Sequence, residues 1–278
     1  MIGLYTYRTN NIGDDFQSYV LARYLRAEIG YVWRDGASNY TGPVTNLIVN
    51  GFITKEALPI TPSLRPIFLA AWLGPRVMDD PEKVDFLSEH TPIGCRDTET
   101  LERCRERNIP AHFTGCPSIL CEPLPEYEEV VGSIAFVDVD PRLFESVGPH
   151  YRKQTALSDS VDWVSNIVPF DLSVEQRWAE CRKRHELLSR SETIVTNRIH
   201  AALPALGMGK AVIFVNESIA NSGRLTALPE NVKTWSAAEC AGMTLNPADH
   251  RYEINSYQTH VKKTLDEQCG EVIRRHRN

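Results

Sequence analysis

Arg198 and His200 combine an anion-binding fork with a proton donor, two residues apart. They lie in the stretch Thr196-Asn197-Arg198-Ile199-His200-Ala201-Ala202-Leu203-Pro204, directly after the short apolar run 193–196. Asn197 is suited to cap a helix over residues 199–208. The rest of that helix is small and apolar, so it is expected to be buried with its only charged groups at its positive end. Such an end attracts anions. Arg198 would pair a phosphate or carboxylate, and His200 would deliver a proton at or near it. The dipole and Arg198 disfavour an imidazolium in the empty site, and a bound dianion reverses that bias. The plainer alternative is a partly buried ring satisfied by a backbone carbonyl.

Three further turns carry polar residues at the end of an apolar run. In Asn10-Asn11-Ile12-Gly13-Asp14-Asp15-Phe16-Gln17, Gly13 allows a close backbone approach, and Asn11, Asp14 and Gln17 can bond hydroxyl groups. Asp14 with Gln17 three residues on also reads as a capping box. In Arg96-Asp97-Thr98, Asp97 or Thr98 caps the next helix, but a cation at a helix start opposes the dipole unless an anion relieves it. Thr114-Gly115-Cys116-Pro117-Ser118 is a turn facing either a ligand or nothing in particular. Asp138-Val139-Asp140 copies a metal-binding acidic pattern, although Asp140-Pro141 fits a helix start equally well.

The elements that must hold these turns alternate. Apolar runs at 2–7, 46–52, 67–73, 92–95 and 111–114 read as strands, with helices over 16–28 and 98–107. After a proline-rich acidic stretch, a second series begins at 133–137. It continues with a helix over 174–188, a strand at 193–196, the helix 199–208, a strand at 211–215 and a last helix over 257–274. Val174, Trp178, Cys181 and Leu188 share one helical face, and Ser173 with Gln176 forms a capping box. Strands alternating with helices imply an α/β fold with parallel pairing. The expected division is 1–122 for an N-terminal lobe, 130–252 for a C-terminal lobe and 253–278 for a terminal helix. Ligands then collect at the carboxyl ends of the strands.

Composition bounds the partners. The net charge of −6 lacks the basic stripe that non-specific nucleic-acid binding needs. The seven cysteines are an odd number without a Cys-x-x-Cys pair, as expected for reduced thiols rather than a disulfide framework or a zinc site. No signal peptide and no long apolar run is visible, so a cytoplasmic protein is expected. The terminal cluster of Arg274, Arg275, His276 and Arg277 allows at most a peripheral membrane contact.

In this order, the segments Asn11-Ile12-Gly13-Asp14 with Gln17, Arg96-Asp97, Thr114-Gly115-x-Pro117-Ser118 and Thr196-x-Arg198-Ile199-His200-Ala201 with Pro204, Gly209 and Lys210 resemble the polysaccharide pyruvyl transferase family. Each motif alone is weak; four in order are more specific. The resemblance spans residues 10–216 and implies two Rossmann-like lobes in a glycosyltransferase-B-like arrangement. It also implies an enzyme of exopolysaccharide or capsule synthesis that builds a pyruvate ketal on a sugar. Phosphoenolpyruvate would be the donor and co-substrate, with no metal or other cofactor, and the acceptor a nucleotide- or lipid-linked saccharide. On that basis Arg198 and Arg96 hold the donor, His200 is the acid, and Asn11, Gly13, Asp14, Gln17, Thr114 and Asn197 line the substrate. Arg224 would hold an acceptor's phosphates. Cys116 stands where the family often has an acidic residue, which puts a carboxylate role there in doubt. A glycosyltransferase using a nucleotide sugar, or a non-catalytic sugar- or anion-binding protein of the same fold, are the alternatives.

Overall fold

The computed structural model describes residues 1–139, 161–216, 223–241 and 247–277. Two parallel sheets follow one another along the chain. The first has six strands in the order β2-β1-β3-β4-β5-β6. They are β1 (Ile2–Thr6), β2 (Ile29–Trp33), β3 (Thr45–Ile53), β4 (Leu64–Leu73), β5 (Ile93–Cys95) and β6 (Ala111–Phe113). Helices α1 (Gly13–Leu25), α2 (Pro75–Met78), α3 (Pro81–Glu89) and α4 (Thr98–Glu106) connect them. The second sheet has five strands in the order β11-β10-β9-β7-β8. These are β7 (Val130–Val137), β8 (Val161–Val164), β9 (Ser191–Thr196), β10 (Ala211–Val215) and β11 (Thr234–Trp235). With them run α5 (Val174–Arg190), α6 (Ile199–Gly207), α7 (Ala237–Ala241) and α8 (Asn255–Arg277).

Every registered strand pair is parallel. Parallel strands are covered on both faces, which is why β3 and β4 read as nearly unbroken apolar runs rather than alternating ones. Tyr5, Val49, Phe68 and Leu101 form the core on one side of the first sheet. Ile134, Phe136, Val195 and Ile213 form that on one side of the second. Between them lies a single larger core, in which Leu4, Phe16 and Leu21 meet Ala135, Leu203 and Phe214. The two sheets therefore share one apolar interior.

Val261 and Leu265 of α8 join the same core. Gln258 of this helix donates to the carbonyls of Ile119 (3.1 Å) and Gly207 (3.2 Å), tying it to the turn after β6 and to the end of α6. The capping box on α5 is present: Ser173 Oγ accepts from the Gln176 amide, and the Gln176 side chain accepts from the Ser173 amide. All seven cysteines are buried and free. Among the described residues, no helix is long and apolar enough to cross a membrane.

Candidate functional site

The segments that follow β1, β5 and β9 meet beyond the carboxyl ends of both sheets, the side on which parallel α/β sheets bind ligands. The loop after β1 and the turn after β9 meet there. His200 Nδ1 lies 3.6 Å from Asp14 Oδ1, and Arg96 Nη1 lies 3.3 Å from the same oxygen. Two residues from the first sheet's loops and one from the second thus meet at a single carboxylate. The Arg96 side chain is 5% exposed, that of His200 11% and that of Asp14 22%.

Gly13 is a glycine for a steric reason. A Cβ there would stand 2.8 Å from His200 Nδ1 and 3.1 Å from Asn11 Oδ1. Asn11 Oδ1 accepts from the Gly13 amide (2.8 Å), which turns the chain into the helix early. That corrects the capping expectation: α1 begins at Gly13, Ile12 occupies the cap position without a side-chain bond, and Asp14 is turned to the crevice. Gly51, at φ +69°, backs the carboxylate; a Cβ there would lie 2.5 Å from Tyr7 Oη and 3.2 Å from Asp14 Oδ1.

The cap of α6 is also corrected. Arg198, not Asn197, is at the cap position, and no side chain caps the helix. Thr196 Oγ1 instead accepts the Arg198 amide (2.9 Å). Asn197 Oδ1 is buried with no hydrogen-bond partner among the described residues.

Both arginines meet carboxylates. Arg96 faces Asp14, with Asp97 Oδ2 3.8 Å from its Nε, and Asp97 caps α4 by accepting the Thr100 amide (2.8 Å). The conflict between Arg96 and the helix dipole is thereby relieved within the protein. Arg198 Nε donates to Asp138 Oδ2 (2.8 Å), which also accepts the Asn166 amide (2.9 Å). Asp138, at φ +52°, is thus the counter-ion of Arg198, and Ser165 hydrogen-bonds it too. Asp140 and Pro141 lie outside the described residues. Among those described, no cluster of three or more histidines, cysteines or acidic residues could hold a metal.

The remaining residues divide. Gln17 is fully buried; its amide donates to the Ala70 carbonyl (3.3 Å), where Ala70 sits at φ +59°. Thr114 is fully buried, and its hydroxyl donates to the Cys95 carbonyl (2.9 Å). Cys116 is buried against Ser118, 2.9 Å from Sγ to Oγ, and burial pushes its thiol up, away from the reactive thiolate. Its amide donates to Tyr257 Oη (3.4 Å). Arg224 belongs to the turn Gly223–Ala227, whose Thr226 hydroxyl accepts the Thr98 amide (3.0 Å). That bond sets the turn on the start of α4; the Arg224 side chain lies outside the described residues. Lys210 is occupied elsewhere, held by Glu129 and the Ser189 carbonyl at 2.8 Å each.

Two residues of this region escaped the sequence reading: Asp15, fully buried beside Asp14, and its partner Arg177 on α5. A cavity of about 920 Å³ between α1, α8 and the turn Pro117–Leu120 is lined by Arg23, Arg26, Glu122, Lys262 and Asp266, and by none of the motif residues.

No family model matches the chain, and no curated protein matches it. Among solved structures it is similar to a functionally uncharacterized protein of Klebsiella pneumoniae subsp. pneumoniae, with 14% identity over 80% of this chain and 87% of that one, at a TM-score of 0.42. It is also similar to accessory secretory protein 1, 2 and 3 of Streptococcus pneumoniae, with 12% identity and a TM-score of 0.42. That match covers 88% of this chain and 52% of the other, so the chain spans about half its length.

Proposed function

We propose that the chain is a cytoplasmic pyruvyl transferase with two lobes in a glycosyltransferase-B-like arrangement. It would form a pyruvate ketal on a sugar of a polysaccharide or its precursor, with phosphoenolpyruvate as donor. The observation that carries this reading is the meeting of His200 and Arg96 on Asp14, where the carboxyl ends of the two sheets converge.

In this reading His200 gives its proton to the methylene carbon of the donor, which becomes the methyl group. The electron-poor carbon is attacked by one sugar hydroxyl, phosphate leaves, and a second hydroxyl closes the ketal. Each hydroxyl gives up its proton: one balances the proton delivered to carbon, and the other leaves with phosphate or solvent. Asp14 orients the imidazole through Nδ1. Asn197 Oδ1 and Gln17 Oε1, both buried without hydrogen-bond partners among the described residues, are acceptors for hydroxyl donors or an intervening water. Arg198, whose side chain is 36% exposed, reaches the donor's phosphate by sharing itself with or turning from Asp138. The acceptor would be a nucleotide- or lipid-linked saccharide.

One feature favours a second reading. A carboxylate facing Nδ1 also suits a general base that deprotonates an acceptor hydroxyl, the task of a glycosyltransferase with a nucleotide-sugar donor. Thermal unfolding with phosphoenolpyruvate and with a panel of nucleotide sugars separates the two, run on wild type and Arg198→Ala. A ligand at ~100 times its Kd stabilises the fold by ~2.7 kcal/mol. Stabilisation by phosphoenolpyruvate that Arg198→Ala abolishes, followed by phosphate release with a sugar acceptor, supports the pyruvyl transferase. Consumption of a nucleotide sugar without phosphoenolpyruvate supports the alternative, and binding without turnover of either leaves a binding protein.

A further inference from the structure

We propose that Asp15 and Arg177 are a positioning pair, a buried strut that holds the loop of Asn11, Gly13 and Asp14 against the second sheet. Consecutive residues on a helix point about 100° apart. In the first turn of α1, Asp14 therefore turns to the crevice while Asp15 turns inward to α5. Both side chains of the pair are fully buried, with Arg177 Nη2 2.8 Å and Nε 2.9 Å from Asp15 Oδ2.

The contacts gather the loop from both ends. Asp15 Oδ1 accepts the Thr6 hydroxyl (2.8 Å) and the Tyr7 amide (3.1 Å) at the end of β1. Arg177 Nη2 also donates to the Thr9 carbonyl (3.0 Å) inside the loop. Immediately beyond, the loop pairs with the segment after β8. The Ile12 amide donates to the Asn166 carbonyl (2.9 Å), the Val168 amide to the Asn10 carbonyl (2.8 Å), and Asn11 bridges Ile167 in antiparallel register. Arg184, two turns along α5 from Arg177, donates to the Ser165 carbonyl on the far side of that bridge. Helix α5 thus grips both segments of the contact that brings Asp14 to His200.

The pair is poorly built for stability alone. Arg177 Nη1 is buried with no hydrogen-bond partner among the described residues, and a buried ion pair is often replaceable by apolar residues without loss of stability. What an apolar pair does not supply is the fourfold attachment of Thr6, Tyr7, Thr9 and α1 to one point.

The inference rests on Asp14 and His200 forming the site, but its test needs no substrate, so its failure is separate from a failure of the proposed reaction. Native-state hydrogen exchange on the whole chain compares wild type with the double variant Asp15→Leu, Arg177→Met, after both show cooperative thermal unfolding. The expected result is about tenfold or greater loss of protection at the Ile12, Gly13 and Val168 amides, besides the Tyr7 amide that Asp15 itself accepts, with β3, β4 and β9 unchanged. Uniform loss across the chain, or no loss at those three amides, overturns the proposal, because a pair that only fills the core would behave in one of those ways. If the double variant does not fold, Arg177→Lys takes its place. It keeps the charge on a shorter side chain with a single nitrogen and so loses the Nε bond to Asp15, and the same local pattern is expected at smaller size.

Discussion

His200 and His185 both stand beside a group with which they could do chemistry, and their surroundings differ. His185, on α5, is fully buried and has Cys121 Sγ 3.5 Å from its Nε2, the outline of a nucleophile and its base. Its nitrogens are already committed. Nε2 lies 2.8 Å from the Glu122 carbonyl, which can only accept, so Nε2 carries the proton; Nδ1 then accepts from the Tyr19 hydroxyl at 3.2 Å. A nitrogen that holds a proton cannot take one from a thiol. Burial also pushes Cys121 up to about 12 and holds His185 below the ordinary imidazole value, so neither is charged near neutrality. His200, by contrast, faces a carboxylate at a helix start beyond a strand. Proximity alone does not make a catalytic pair; the partner atoms of the second nitrogen decide.

The largest expected effect tests that contrast directly. His200→Ala lowers turnover by ~10²–10⁴-fold, the usual share of a positioned acid, and leaves the unfolding midpoint nearly unchanged. His185→Ala, measured in the same phosphate-release assay under stabilising conditions, retains turnover. Equal losses in both variants break the comparison.

Stability gives the converse. His185→Ala removes the partner of the Tyr19 hydroxyl and opens a cavity among Phe16, Tyr19 and Cys121, so it costs ~2–4 kcal/mol in urea unfolding. A loss below about 0.5 kcal/mol would mean that these bonds hold nothing together. Gly13→Ala is smaller and sharpens the site itself. The new methyl must displace His200 Nδ1, 2.8 Å away, so turnover falls roughly tenfold or more with only ~1 kcal/mol lost from the fold. Restored turnover in Gly13→Ala combined with Asn11→Gly would locate the strain on Asn11, 3.1 Å from the new methyl, rather than on His200.

Much of this was legible from the chain, for physical reasons. Buried parallel strands announce themselves as apolar runs, so β3, β7, β9 and β10 were visible, with ends off by a few residues. β2 was not, because Ile-Gly-Tyr-Val-Trp is only partly buried at the sheet's edge and breaks its own pattern with Gly30. β8, four residues at an edge of the second sheet, is as faint. Three of the four strand-end turns meet at Asp14, but their partners could not be read. Arg96 and Arg198 looked like cations in want of an anion, and each has found a carboxylate distant in sequence. A signal for Arg177 and His185 did exist. Both fall four residues from Cys181 on the apolar stripe of α5, where a charged or polar residue needs an explanation.

The smallest effect concerns protons in the fold. Burial holds His112, His185 and His250 below the ordinary imidazole value. The unfolded chain titrates near 6.5. Between that value and the lower folded values the unfolded chain binds more protons than the native one, so stability falls as pH drops through this window and is fully present above it. Each histidine adds at most about 1.4 kcal/mol per pH unit. Urea unfolding between pH 5.5 and 7.5 should therefore show a positive slope that His185→Gln reduces by part of one proton. An unchanged slope would mean that His185 binds protons alike in both states, and a steeper one that it is protonated in the native state. An imidazolium donates at both nitrogens, to the Glu122 carbonyl and to a Tyr19 hydroxyl acting as acceptor. In that case the two histidines would differ by burial alone, and the argument from committed nitrogens would fail.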